Sequence, residues 1–141
     1  MKKQALITGA TSGIGRATAL RLAAEGYDIT ATGRRAERLE TLRREIEAAG
    51  GRCTALVFDV RSEAEVRKFL SPLERVDLLI NNAGLAAGLE HIDQGDTADW
   101  DAMIDTNVKG LLYVTRVVTP KMVAAGGGHV FNIGSIAGTE A

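Results

Sequence analysis

Glycines crowd the segment that follows the first apolar stretch: Thr8-Gly9-Ala10-Thr11-Ser12-Gly13-Ile14-Gly15. Glycine lets a backbone turn tightly and come close to a ligand. A helix starting here presents N–H groups without internal partners and the positive end of its dipole, which suits a pyrophosphate. Gly9, Thr11, Ser12, Gly13, Ile14 and Gly15 are therefore candidate phosphate-cradle residues. The spacing is Gly-x-x-x-Gly-x-Gly, not Gly-x-Gly-x-x-Gly, so a plain strand-to-helix turn is the other reading. Further on, Gly33-Arg34-Arg35 stands where an acidic residue would hold a free ribose 2′-hydroxyl. Cations at a helix start oppose its dipole and cost a few tenths of a kcal/mol each. A bound 2′-phosphate compensates, since charge-assisted hydrogen bonds contribute ~1.5–3 kcal/mol. The alternative is a solvated charged face continuing into Glu37, Arg38 and Glu40. Ser135 stands just past a short apolar run, His129 to Ile133, as a residue on an active-site rim or as a turn serine.

Holding these groups together takes alternating elements. Ala5 to Ile7, Asp28 to Thr32, Cys53 to Phe58, Val76 to Ile80 and Val130 to Ile133 read as strands. Between them lie helical patterns: Ile14 to Ala24, with Ile14, Ala17, Leu20 and Ala24 at helical spacing, and about Ala36 to Ala49, with Leu39, Leu42, Ile46 and Ala49 on one face. A third helix runs from Ser62 to Leu70. A longer helical region spans about Thr97 to Ala125, broken near Asn107 and disturbed by Pro120. Strands alternating with helices predict an α/β fold, a doubly wound parallel sheet with helices on both faces. Ligands of such sheets bind beyond the carboxyl ends of the strands, near the switch point.

Taken in order, the glycine turn, Asp59-Val60, Asn81-Asn82-Ala83-Gly84, Asn107 and Ser135 resemble the short-chain dehydrogenase/reductase family over essentially the whole chain. The resemblance implies a Rossmann-like sheet of strand order 3-2-1-4-5 and a nicotinamide cofactor. Asp59 and Val60 would lie beside the adenine. Asn81 to Gly84, including Asn82, Ala83 and Gly84, would stabilise the central strand and pass along the cofactor. Asn107 would serve a proton relay at a helix kink, and Ser135 would hydrogen-bond a substrate carbonyl or alcohol. With Arg34 and Arg35, NADP is the cofactor implied, ahead of NAD. Segments such as Thr32-Gly33-Arg34-Arg35 and Met103-Ile104-Asp105-Thr106-Asn107 resemble the NADP-dependent 3-hydroxy-acid members. The family's acid–base pair, Tyr-x-x-x-Lys, is expected beyond the serine. Tyr27 and Tyr113 lack a lysine four residues on, so residues 1–141 read as one cofactor-binding domain, truncated before the pair and inactive alone.

Composition narrows the rest. The chain has 141 residues, 45% hydrophobic and 25% charged, with a net charge of −1. A single domain is predicted, and a balanced charge gives no broad attraction for nucleic acid or an anionic membrane. No apolar run approaches the about 18 residues of a membrane span, and the cytoplasm is the expected compartment. Cys53 is the only cysteine, expected to be a buried thiol. His91 and His129 lack partners at metal or triad spacing, and no metal site is expected. The leading reading is the cofactor-binding part of an oxidoreductase moving a hydride between nicotinamide and a small-molecule carbonyl/alcohol substrate, in a homo-oligomer. The rival is a non-catalytic nucleotide-binding or self-associating module. A methyltransferase on a similar sheet is disfavoured by Asn-Asn-Ala-Gly and the two arginines.

Overall fold

Alternation of apolar side chains builds the centre of the sheet. In β1 (Gln4–Ile7) and β4 (Leu78–Asn81), Ala5, Ile7, Leu78 and Ile80 belong to one buried cluster. Leu6 and Leu79, between them in sequence, belong to another. Successive strand residues face opposite ways, so both faces of these strands are covered, as parallel strands require. The computed structural model describes residues 2–139. It adds β2 (Asp28–Gly33), β3 (Cys53–Val57) and β5 (His129–Asn132), in the order β3-β2-β1-β4-β5, parallel throughout.

Helices α1 (Gly13–Ala24) and α2 (Ala36–Ala48) cover one face, where Ala19, Leu39, Leu42 and Ile46 meet Ile29 and Ala31. Leu39, Leu42 and Ile46 follow the helical period, and Glu40, Arg43 and Glu47 tie the outer side of α2 through ion pairs of 2.5 and 2.6 Å. Cys53 is buried in the same cluster, and burial pushes its thiol up to about 11. On the other face lie α3 (Glu63–Leu70) and α5 (Leu111–Ala124), which bury Val66, Leu70, Val114, Val118 and Met122. The start of α3 is capped by Ser62, whose Oγ accepts from the Glu65 N–H at 3.2 Å.

The long helical region resolves into α4 (Thr97–Ile104), a π-helical turn at Asp105–Gly110, and α5. The expected break at Asn107 is thus a change of hydrogen-bond register, with no interruption of the rod. Pro120 lies inside α5 without ending it. It removes one N–H, while Val114, Val118 and Met122 on the same helix stay packed in the core. Every strand differs from its expected bounds by a residue or two: β1 begins at Gln4, β2 ends at Gly33, β3 ends at Val57, β4 runs from Leu78 to Asn81, and β5 from His129 to Asn132. Asn81 enters the sheet because it pairs in register with Asn132.

Candidate functional site

After β3 the chain crosses from one edge of the sheet back to the centre, so the switch point lies between β1 and β4. A pocket opens there at the carboxyl ends of four strands. Gly9, Thr11 and Ser12 form its wall after β1, and Thr32, Gly33, Arg34 and Arg35 after β2. Phe58, Asp59 and Val60 follow β3; Asn82, Ala83, Gly84 and Leu85 follow β4; Thr106 comes from the π-helical turn.

The β1 and β4 walls are braced together. Thr8 Oγ1 accepts from the Asn82 and Ala83 N–H groups, each at 3.0 Å. Asn82 Nδ2 donates to the Gly9 carbonyl at 3.0 Å. Gly9 has φ +63°, and a Cβ there would lie 2.8 Å from Ala83 Cα. A Cβ at Gly15 would collide with the Gly9 carbonyl and Asn82 Nδ2, so α1 approaches the turn as only glycine allows. No side chain caps α1, and no acidic residue stands in its first turn. Its backbone bonding begins with the Arg16 N–H, which donates to the Ser12 carbonyl at 3.3 Å. The amides of Gly13, Ile14 and Gly15 precede it, where a helix has no internal partners to give. That end of the helix can take an anion. Gly13, Ile14 and Gly15 are not themselves on the pocket wall; the Ile14 side chain is 62% exposed.

Arg35 Nη2 donates to Thr11 Oγ1 at 2.8 Å and to Ser12 Oγ at 3.3 Å, joining the β2 wall to the β1 wall. Asp59 is held by Arg61: Nη2 reaches Oδ2 at 2.7 Å, and the Arg61 backbone N–H reaches Oδ1 at 3.0 Å. Burial raises the Asp59 carboxyl, but these bonds, with the fields of Arg61 and Arg34, outweigh it and keep the group below its ordinary range. Glu65 accepts from the Asp59 N–H at 3.1 Å and fixes the same turn.

Asn107 and Ser135 lie off the pocket wall. Both polar ends of Asn107 are engaged with one residue: Oδ1 accepts from the Leu85 N–H at 2.8 Å, and Nδ2 donates to the Leu85 carbonyl at 2.7 Å. It clamps the segment leaving β4. Ser135 caps a short 3₁₀ turn, Ile136–Gly138, with Oγ accepting from the Ala137 N–H at 3.1 Å. It is exposed, beyond the carboxyl end of β5. Asn81 lies below the pocket, where Nδ2 donates to Thr115 Oγ1 and to Asn132 Oδ1, both at 3.0 Å. Thr8, Arg61, Glu65 and Thr106 were not singled out from the sequence. Thr8 stands in the sequence only as the first residue of the glycine segment, and Arg61, two residues after Asp59, looks there like any solvated charge. Among the described residues no His, Cys, Asp and Glu group could hold a metal ion.

A doubly wound parallel sheet with a glycine-lined, arginine-rimmed pocket across its switch point defines a Rossmann-like α/β domain. The chain belongs to the short chain dehydrogenase family, whose model matches residues 3–141. It is 47% identical over 139 residues to a "Probable NADP-dependent dehydrogenase" of Haemophilus influenzae, covering 96% of this chain and 54% of that protein. It is 45% identical over 138 residues to the "NADP-dependent 3-hydroxy acid dehydrogenase YdfG" of Salmonella typhi, covering 95% of this chain and 54% of that protein. Among solved structures it matches the closed form of serine dehydrogenase complexed with NADP+, with a TM-score of 0.91 and 44% identity. That match covers 96% of this chain and 55% of the solved one. The chain spans about half the length of the curated relatives it matches.

Proposed function

We propose that this chain is the cofactor-binding part of an NADP-dependent oxidoreductase that moves a hydride between nicotinamide and a carbonyl/alcohol pair, with 3-hydroxy acids as the substrate class. One observation carries the reading: a glycine-braced pocket whose β2 end offers Arg34 and Arg35 where a ribose-binding carboxylate would stand. The names of the relatives point the same way. Gly9, Thr11, Ser12, Gly13, Ile14 and Gly15 hold the pyrophosphate, and Arg34 and Arg35 stand at the β2 end of the pocket, the end that receives the ribose carrying the 2′-phosphate. Asp59 and Val60 receive the base, and Asn82, Ala83 and Gly84 lie along the nicotinamide half. NADP supplies the hydride chemistry when bound. Asn107 fixes the segment after β4 through Leu85, and Ser135 orients the substrate oxygen. The protein works in the cytoplasm as a homo-oligomer.

A positioned general acid contributes 10²–10⁴-fold to such a reaction. Among the described residues the pocket wall holds no tyrosine, and its one carboxylate, Asp59, is kept ionised by Arg61. Tyr27 and Tyr113 pack against the two cores instead. The 141-residue chain is therefore expected to bind NADPH more tightly than NADH and to transfer no measurable hydride by itself. Fluorescence titration with each nucleotide, and NADPH absorbance in the presence of a 3-oxo acid, check both statements. Equal affinities, or turnover by the purified chain, count against the reading. The rival, a non-catalytic self-associating module, draws support from the exposure of β5 on both faces.

A further inference from the structure

The two arginines at the start of α2 differ in what they touch. The Arg35 fork crosses the pocket and donates to both Thr11 and Ser12. Arg34 makes no hydrogen bond or ion pair among the described residues, yet it lines the same pocket and its charge reaches Asp59. Ser12 adds a second clue. It stands at the N-cap of α1, where a serine ordinarily accepts from the second or third helical amide, here Ile14 or Gly15. It makes no such bond, and its hydroxyl takes Arg35 instead.

We infer that Arg35 is a positioning residue for the turn between β1 and α1, and that Arg34 alone discriminates the 2′-phosphate. The inference rests on the dinucleotide reading above. By holding Thr11 and Ser12, Arg35 keeps the Ser12 hydroxyl off the first turn of α1. The amides of Gly13, Ile14 and Gly15 stay open to the pyrophosphate, which NADH and NADPH share. Arg34, with its donors uncommitted, meets the one group that only NADPH carries.

Single substitutions titrated with NADPH and NADH separate the roles. Arg34→Ala is expected to weaken NADPH about tenfold or more, the scale of a charge-assisted bond, and to leave NADH unchanged. Arg35→Ala is expected to weaken both nucleotides by a similar factor, about fivefold, as the freed serine competes for its own helix. Adding Ser12→Ala to Arg35→Ala removes that competitor and should recover NADH affinity to the level of Ser12→Ala alone. Loss confined to NADPH in Arg35→Ala, or no recovery in the double variant, overturns the inference. Should the unaltered chain bind neither nucleotide, the dinucleotide reading falls and takes this one with it. Should it bind both while the two arginines behave alike, only the division of labour falls.

Discussion

Asp59 shows how one residue's surroundings set its charge. Burial favours the neutral acid, but Arg61 donates to the carboxylate through Nε, Nη2 and its backbone N–H. The carboxyl ends below its ordinary 3.8. A carboxylate depressed by folding stabilises the protein above its unfolded value, and that contribution is lost as pH falls through the folded value. Arg61→Ala leaves burial unopposed by its strongest partner, so the Asp59 carboxyl should rise. The variant is expected to be less stable near neutrality by under about 1 kcal/mol, since the pair is partly exposed. The deficit should shrink as pH drops below 3.8. Urea denaturation at pH 7, 5, 4 and 3 measures it, and a deficit constant across that range would show that Arg61 acts through packing alone. The aspartate enters the sequence reading through the family resemblance, and the structure puts it on the pocket wall. Its partner was not legible, because an arginine two residues away in a turn looks like any solvated charge until the backbone brings the fork round.

Most elements could be read from the sequence, because a strand buried on both faces is an uninterrupted apolar run and α2 keeps a strict helical period over Leu39, Leu42 and Ile46. The π-helical turn was blurred. Gly110, its last residue, lies close against Val60, 50 residues away in sequence, and no local pattern encodes that approach. Gly110 has φ −59° and ψ −45°, ordinary helical angles that alanine shares. In an exposed helix alanine would be favoured there by about 1 kcal/mol. Here its Cβ would lie 2.7 Å from Val60 Cγ2, on a residue of the pocket wall. Overpacking of that kind costs about 1–3 kcal/mol. Gly110→Ala is therefore expected to destabilise despite the better helix former, and Val60→Ala in the same chain to recover part of the loss by making room. Chemical denaturation of the two single variants and the double variant decides it. Strict additivity of the two losses would place the strain elsewhere.

At the scale of the whole molecule, the sheet is well covered at its centre and bare at one side. β3 forms one edge, with Cys53 buried and Thr54 and Val57 exposed. At the other edge β5 pairs only with β4, and all four of its residues are exposed. Phe131 is 51% exposed and Ile133 45%, and Ile104, Val108 and Leu112 present a separate exposed apolar row at helical spacing. A strand edge of unpaired N–H and C=O groups, flanked by apolar side chains, is a template for pairing with another chain. With a net charge of −1, long-range repulsion between copies is small. The chain is thus expected to associate as its concentration rises. Two routes are open, and substitution separates them. Phe131→Lys places a charge on the strand, while Val108→Lys places one on the helix row. If the strand edge carries the contact, Phe131→Lys shifts the light-scattering mass towards monomer and Val108→Lys leaves it high; the reverse pattern assigns the helix row. An unaltered chain that stays monomeric across the whole concentration series would show that neither apolar surface is sticky enough to offset the entropy of association.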